Sequence, residues 1–244
     1  MTHPENKVHN DLTKQIQQNL AGLKDCISAI SRNAGRSNED IKLIAVSKTQ
    51  PVEAVRAALE IGHRDFGENT IQDALTKIPQ TRNLPITWHF IGHLQSRKAK
   101  EIPGNFQWLH SLDNLSLAGK LDNACRQEGS GSLNILLQVN ITQDPNKFGI
   151  EPGQLDHFME QLLEQDFSYL IFRGLMTIGP YTDDEADQRR YFSGLRELRD
   201  QCRNRFGLTQ FTELSMGMSN DYPAAIREGA TMIRIGSAIF GERQ

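Results

Sequence analysis

The sequence predicts an α/β fold: a single (β/α)8 barrel of TIM type over residues 10–244, with one extra helix ahead of the first strand. Two observations lead there. Short β-branched apolar runs alternate with helical patterns, which is the signature of successive βα units. Eight such runs can be placed along the 244 residues, enough to close a ring. The rival is an open doubly wound sheet, but no "GxGxxG" follows the first strand, and no linker or shift in composition divides the chain.

The elements follow in order. Residues 1–9 are polar and are expected to form a flexible tail. Leu12, Ile16, Leu20, Leu23, Ile27 and Ile30 recur at spacings of three and four, one face of an amphipathic helix. "GRSNED" ends it, and Ser37 is placed to cap a further short turn. The strands are expected at 42–47, 64–67, 86–91, 106–111, 133–140, 170–177, 211–215 and 231–236. Helical stretches between them include "PVEAVRAALEIG", "LSLAGKLDNACRQEG", "GQLDHFMEQLLEQ", "ADQRRYFSGLRELRDQCRNRFG" and "DYPAAIREGA". Each carries an apolar face, and several end in glycine, a common helix stop.

Bulk properties exclude several classes. The net charge is −3, with no basic excess to bind nucleic acid or an anionic membrane, and the short "RKAK" cluster reads as a solvated helix face. No apolar run reaches membrane-spanning length, and the polar N-terminus has no signal-peptide core. Three widely spaced cysteines fit neither a disulfide framework nor a metal site, so a reducing cytoplasm is expected.

In such a barrel the chemistry collects at the carboxyl ends of the strands. There the sequence places Lys48, then "GEN" with Asn69, His89, His110, Asn140, and the loops "SMGMSND" and "RIGSAIFG". The last two loops, rich in glycine and serine, can offer backbone N–H groups and hydroxyls to a phosphate. Lys48 ends the apolar strand "KLIAVS". A lysine there can serve as an imine-forming amine if partial burial or a nearby cation, here Arg234, helps it lose its proton. His89 and His93 lie four apart in strand-like context, too far apart to share a metal easily, and the methionines of "MGM" read as wall. The acidic run at Asp183, Asp184, Glu185 and Asp187 reads as a solvated loop and helix start.

Six motifs in order, "AVSKTQP", "FGEN", "WHFIGHLQSRK", "GLMTIG", "SMGMSND" and "RIGSAIFGER", resemble the pyridoxal 5′-phosphate homeostasis protein family (YggS/PROSC type), from about residue 10 to the C-terminus. The resemblance implies a fold-type III barrel like the alanine racemase N-terminal domain, with pyridoxal 5′-phosphate bound as a Schiff base to Lys48. It implies Arg234 near the pyridine nitrogen and Gly236 and Ser237 on the phosphate, with Ser215 and Ser219 completing the cradle. Asn69 would line the pocket, and Lys147 of "NKFGI" would take part in passing the cofactor on. Three positions depart from the family pattern: Gln50 stands where many members carry a second lysine, "GENT" replaces "GENY", and "QSRK" replaces "QSNK".

Two functional classes compete: a carrier for intracellular storage, buffering and delivery of the cofactor to apo-enzymes, and a racemase or decarboxylase using it. A lysine-imine aldolase ranks below both. Fold-type III enzymes close their site with a second, β-rich domain, and the chain runs only eight residues past Gly236. The expectation is therefore a non-catalytic monomeric carrier.

Overall fold

The computed structural model describes residues 4–241. The strands are β1 (Lys42–Val46), β2 (Asp65–Glu68), β3 (Thr87–Phe90), β4 (Trp108–Leu112), β5 (Leu133–Gln138), β6 (Leu170–Met176), β7 (Glu213–Ser215) and β8 (Met232–Ile235). They close into a parallel barrel in sequence order, and β8 returns to β1 with Ile44 opposite Arg234 and Ala45 opposite Ile235. All eight expected strands are present, with ends that differ by two residues or fewer.

The helices are α1 (Pro4–Asn33), α2 (Val52–Glu60), α3 (Ile71–Thr81), α4 (Leu115–Glu128), α5 (Leu155–Leu163), α6 (Glu185–Arg205), α7 (Tyr222–Arg227) and α8 (Ser237–Phe240). The extra helix α1 buries Ile16, Leu20, Leu23 and Ile27, the stripe its spacing predicts, and packs on α2, α7 and α8. Its backbone is already helical at Pro4, where the sequence reading expected a tail through residue 9; residues 1–3 lie outside the described residues.

Local signals explain most element ends. Ser37 caps a 3-10 turn, Asn38–Asp40, through a reciprocal capping box with Asp40. Asn114 caps α4, and Gly129 ends it in the left-handed region at φ 65°. Asp184 caps α6 by accepting from Ala186 N, so the acidic run does begin a helix. One expectation fails: no α-helix follows β3. The "SRKAKE" segment forms a 3-10 helix, Ser96–Glu101, in which only Ala99 is buried. One apolar residue is too small a face to hold a longer helix against the barrel.

Two apolar regions result. The larger core lies between the strands and the surrounding helices. A smaller cluster of Ile44, Leu136, Met176 and Met232 fills part of the barrel interior. The remainder of that interior is polar, with His89, His110 and Arg234 all buried.

Candidate cofactor site

A cavity of about 270 Å³ opens at the carboxyl end of the barrel. Its wall brings together Lys48, Asn69, Ser219, Arg234, Gly236 and Ser237, six of the eight residues singled out in the sequence. Val46, Ile91, Ile178 and Met218 supply its apolar side. The size suits a small single-ring ligand, and the mix of apolar wall with a few convergent polar groups is that of a ligand pocket.

The turns after β7 and β8 are stitched together. Arg234 N donates to Gly217 O at 3.0 Å, and the hydroxyls of Ser219 and Ser237 stand 3.4 Å apart. Gly217 takes φ 93°, and a Cβ there would come within 2.7 Å of the Ala225 Cβ. A Cβ on Gly236 would press on Val46 O at 3.2 Å, so glycine lets the turn after β8 close up against the strand that carries Lys48. On the opposite wall, Gly92 packs so near that a Cβ would lie 2.0 Å from Asn69 O.

Arg234 is fixed from below. Its Nη1 donates to Ser215 Oγ at 2.7 Å and its Nη2 to Thr177 O at 2.8 Å. Burial pushes the guanidinium down to about 10, opposed by the charge of Asp221, so it stays a cation near neutral pH. Burial in turn raises the Asp221 carboxyl. From Ser215 a chain of buried groups runs down the barrel axis. Ser215 Oγ is 2.9 Å from His110 Nδ1, His110 Nε2 is 3.0 Å from His89 Nδ1, and His89 Nε2 is 3.1 Å from Asp65 Oδ1. Burial lowers both imidazoles, which are neutral near pH 7.

The sequence reading put Ser215 on the phosphate cradle. In the structure its hydroxyl lies against Arg234 and His110 and does not border this cavity, whereas Ser219 and Ser237 do. Lys147 also does not border this cavity. Its Nζ donates to Gly179 O at 2.8 Å and sits 5.0 Å from the Tyr181 ring centroid. Burial lowers its amine, against the charges of Asp144 and Asp221. Gly179 and Tyr181 border a second cavity of about 480 Å³, which shares Met218, Ser219 and Ser237 with the first. His89 and His93 are separated as expected: His89 is buried, and His93 stacks on Phe148 with centroids 3.7 Å apart. Among the described residues no group of three or more His, Cys, Asp or Glu side chains could hold a metal.

Sequence reasoning missed the ties around the Lys48 turn. Glu68, Asp73 and Lys77 meet there, and of the three only Glu68 falls in a motif the sequence singles out, "GEN" at the end of a strand. Burial, partly offset by Lys77 and Ser47, raises the Glu68 carboxyl to about 7.

Known proteins resemble this chain over most of its length. Residues 12–244 match the family described as alanine racemase, N-terminal domain. The pyridoxal phosphate homeostasis protein of Pseudomonas aeruginosa is 43% identical over 228 residues, covering 93% of this chain and 96% of the relative. That of Pasteurella multocida is 40% identical over 230 residues, covering 93% and 97%. PipY of Synechococcus elongatus, solved with PLP bound, superposes with a TM-score of 0.81 at 36% identity, covering 93% of this chain and all of PipY. Alanine racemase of Clostridium difficile, at 16% identity and a TM-score of 0.68, shares the barrel fold. The chain belongs to the alanine racemase N-terminal domain family and, within it, to the pyridoxal phosphate homeostasis proteins.

Proposed function

We propose that this chain holds pyridoxal 5′-phosphate on Lys48 and serves to store, buffer and deliver it within the cytoplasm, without strong catalytic activity of its own. The observation that carries the reading is the one cavity on which a strand-end lysine, a buried arginine and two facing serine hydroxyls converge.

The residues present fit the group. The glycine at 236, where a Cβ would crowd Val46 O, keeps the turn after β8 against β1 and leaves its hydroxyl neighbours room for an anion. When bound, the cofactor supplies an aldehyde carbon that a primary amine can take as an imine with loss of water. Lys48 presents that amine. Ser219 and Ser237 would donate to the phosphate, and Val46, Ile91, Ile178 and Met218, on the same cavity wall, would hold the ring. Arg234, a donor-only cation on the cavity wall, would favour an unprotonated ring nitrogen where the two meet. A ring in that state would be a weaker electron sink, a setting that racemases also work with. Thr49 and Ser237, both on the cavity wall, are exposed, so water reaches a site that strong catalysis would keep dry. The names of the relatives, homeostasis proteins rather than racemases, support the same reading.

Delivery is to apo forms of pyridoxal-phosphate enzymes in transient contact with a monomer. Lys147, beside the adjoining cavity, is placed to assist the cofactor's exit. Among the described residues no helix is long and apolar enough to cross a membrane. The test is a visible absorbance spectrum of cofactor-loaded protein with and without amino acids, followed by an assay for racemisation and decarboxylation. The carrier reading expects an imine band and no turnover at ordinary enzyme rates; racemisation of alanine at such rates would overturn it.

A further inference from the structure

The turn that carries Lys48 is held in an unusual shape. Thr49 adopts φ 63°, the left-handed region that a β-branched residue enters only under constraint. The constraint is visible on both sides of Lys48. Thr49 N donates to Asp73 Oδ2 at 2.7 Å. On the other side, Ser47 Oγ donates to Glu68 Oε1 at 2.6 Å, and Ser47 O accepts from Lys77 Nζ at 2.8 Å. The same ammonium reaches Glu68 Oε1 at 2.8 Å and Asp73 Oδ1 at 2.9 Å. Lys77 thus uses its three donors on one backbone carbonyl and two carboxylates.

Asp73 and Lys77 stand four apart on α3, a spacing that ordinarily makes a surface helix pair. Here Lys77 is 1% exposed and Glu68 fully buried. Burying an ammonium and a carboxylate is an inefficient way to gain stability, because desolvation offsets most of their attraction. What the arrangement does supply is position. It ties the residue before Lys48 and the residue after it to one rigid charge cluster between the end of β2 and α3.

We propose that Lys77 and Asp73, with Glu68, are positioning residues that hold the Lys48 turn in the geometry at which its amine meets the aldehyde of the bound cofactor. This rests on the reading that Lys48 is the cofactor-bearing lysine. The bond in question forms between Lys48 Nζ and the aldehyde carbon; the aldehyde oxygen leaves as water with two amine protons, and no oxidant or reductant takes part. Neither Lys77 nor Asp73 borders the cavity, so they act through the turn and not on the ligand.

The experiment compares two probes: pyridoxal 5′-phosphate, and 4-deoxypyridoxine 5′-phosphate, which has the same ring and phosphate but no aldehyde. Asp73→Ala and Lys77→Met should each weaken imine formation by about tenfold, the effect of one charged hydrogen bond, while binding of the aldehyde-free probe changes by less than about twofold. Adding Thr49→Gly to Asp73→Ala should restore part of the loss, because glycine takes the left-handed shape without constraint. Asp73 is partly exposed, so its variant carries the test should Lys77→Met not fold. Equal weakening of both probes, no effect on either, or no recovery with Thr49→Gly would overturn the proposal. An imine band that survives Lys48→Ala would instead show that the reading of Lys48 is wrong, a distinct failure.

Discussion

Arg234 donates to Ser215 Oγ at 2.7 Å, at the head of a buried side-chain relay that ends on the Asp65 carboxylate. A guanidinium can only donate, so the serine oxygen accepts there and keeps its own proton to give. The Asp65 carboxylate can only accept, so His89 Nε2–H donates to it; with both imidazoles neutral, His110 Nε2–H donates to His89 Nδ1 and Ser215 Oγ–H to His110 Nδ1. Each member is satisfied in one arrangement, with both histidines neutral and Arg234 charged.

Ser215→Ala breaks the chain at its top. It leaves Arg234 Nη1 and His110 Nδ1 buried without this partner, at a cost of about 1–3 kcal/mol of stability. Urea unfolding of the cofactor-free protein measures that loss. A variant as stable as the parent would show that the hydroxyl is not structurally engaged.

His110 predicts a pH dependence of definite sign. Burial holds its folded-state pKa well below the ordinary 6.5, so the unfolded chain takes up a proton that the folded chain refuses. Its contribution is whole above pH 6.5 and drains away as the pH falls below that value. Glu68 acts oppositely: its carboxyl, raised from 4.5 to about 7, contributes stability below 4.5 that is lost as the pH rises toward 7. The difference in unfolding free energy between parent and His110→Asn isolates the histidine. It should shrink by up to about 1.4 kcal/mol per pH unit below the histidine's ordinary value. A difference that does not vary with pH would contradict a neutral buried His110.

Gly92→Ala tests the cavity wall. The new Cβ would meet the Asn69 carbonyl at 2.0 Å, against backbone that must move. The expected cost is about 1–3 kcal/mol, with weaker cofactor binding because Asn69 lines the cavity. Thermal unfolding and a cofactor titration read the two effects.

Ser237→Ala removes one of the two facing hydroxyls proposed to hold the phosphate. Pyridoxal 5′-phosphate and its aldehyde-free analogue should both bind about tenfold more weakly or worse, the usual loss for one hydrogen bond to a charged group. Selective loss of the aldehyde-bearing ligand would place Ser237 elsewhere in the site. Titration with each ligand distinguishes the two.

Much of this was legible in the chain. The alternation of apolar runs and amphipathic stretches depends on local periodicity, so the barrel and the stripe of α1 could be read directly. Lys48, Arg234 and Ser237 could be placed because barrel topology brings the ends of β1 and β8 together. Other features depend on contacts that periodicity cannot express. Ser215 stands one residue from the loop that borders the cavity, and strand alternation turns its hydroxyl into the barrel, away from its neighbours. The His89–His110 pairing joins two strands, and placing each histidine near a strand end does not show that the two meet. Lys77 reads as a solvent-facing member of an i,i+4 pair until β1 and β2 are adjacent and its ammonium is drawn under the Lys48 turn.

The most direct measurement is borohydride reduction of the pyridoxal-phosphate-loaded protein followed by peptide mapping. The account predicts a yellow protein that bleaches on reduction, with one stable adduct on Lys48 and none in a folded Lys48→Ala variant. An adduct on another lysine, or a protein that takes up no cofactor, would contradict it.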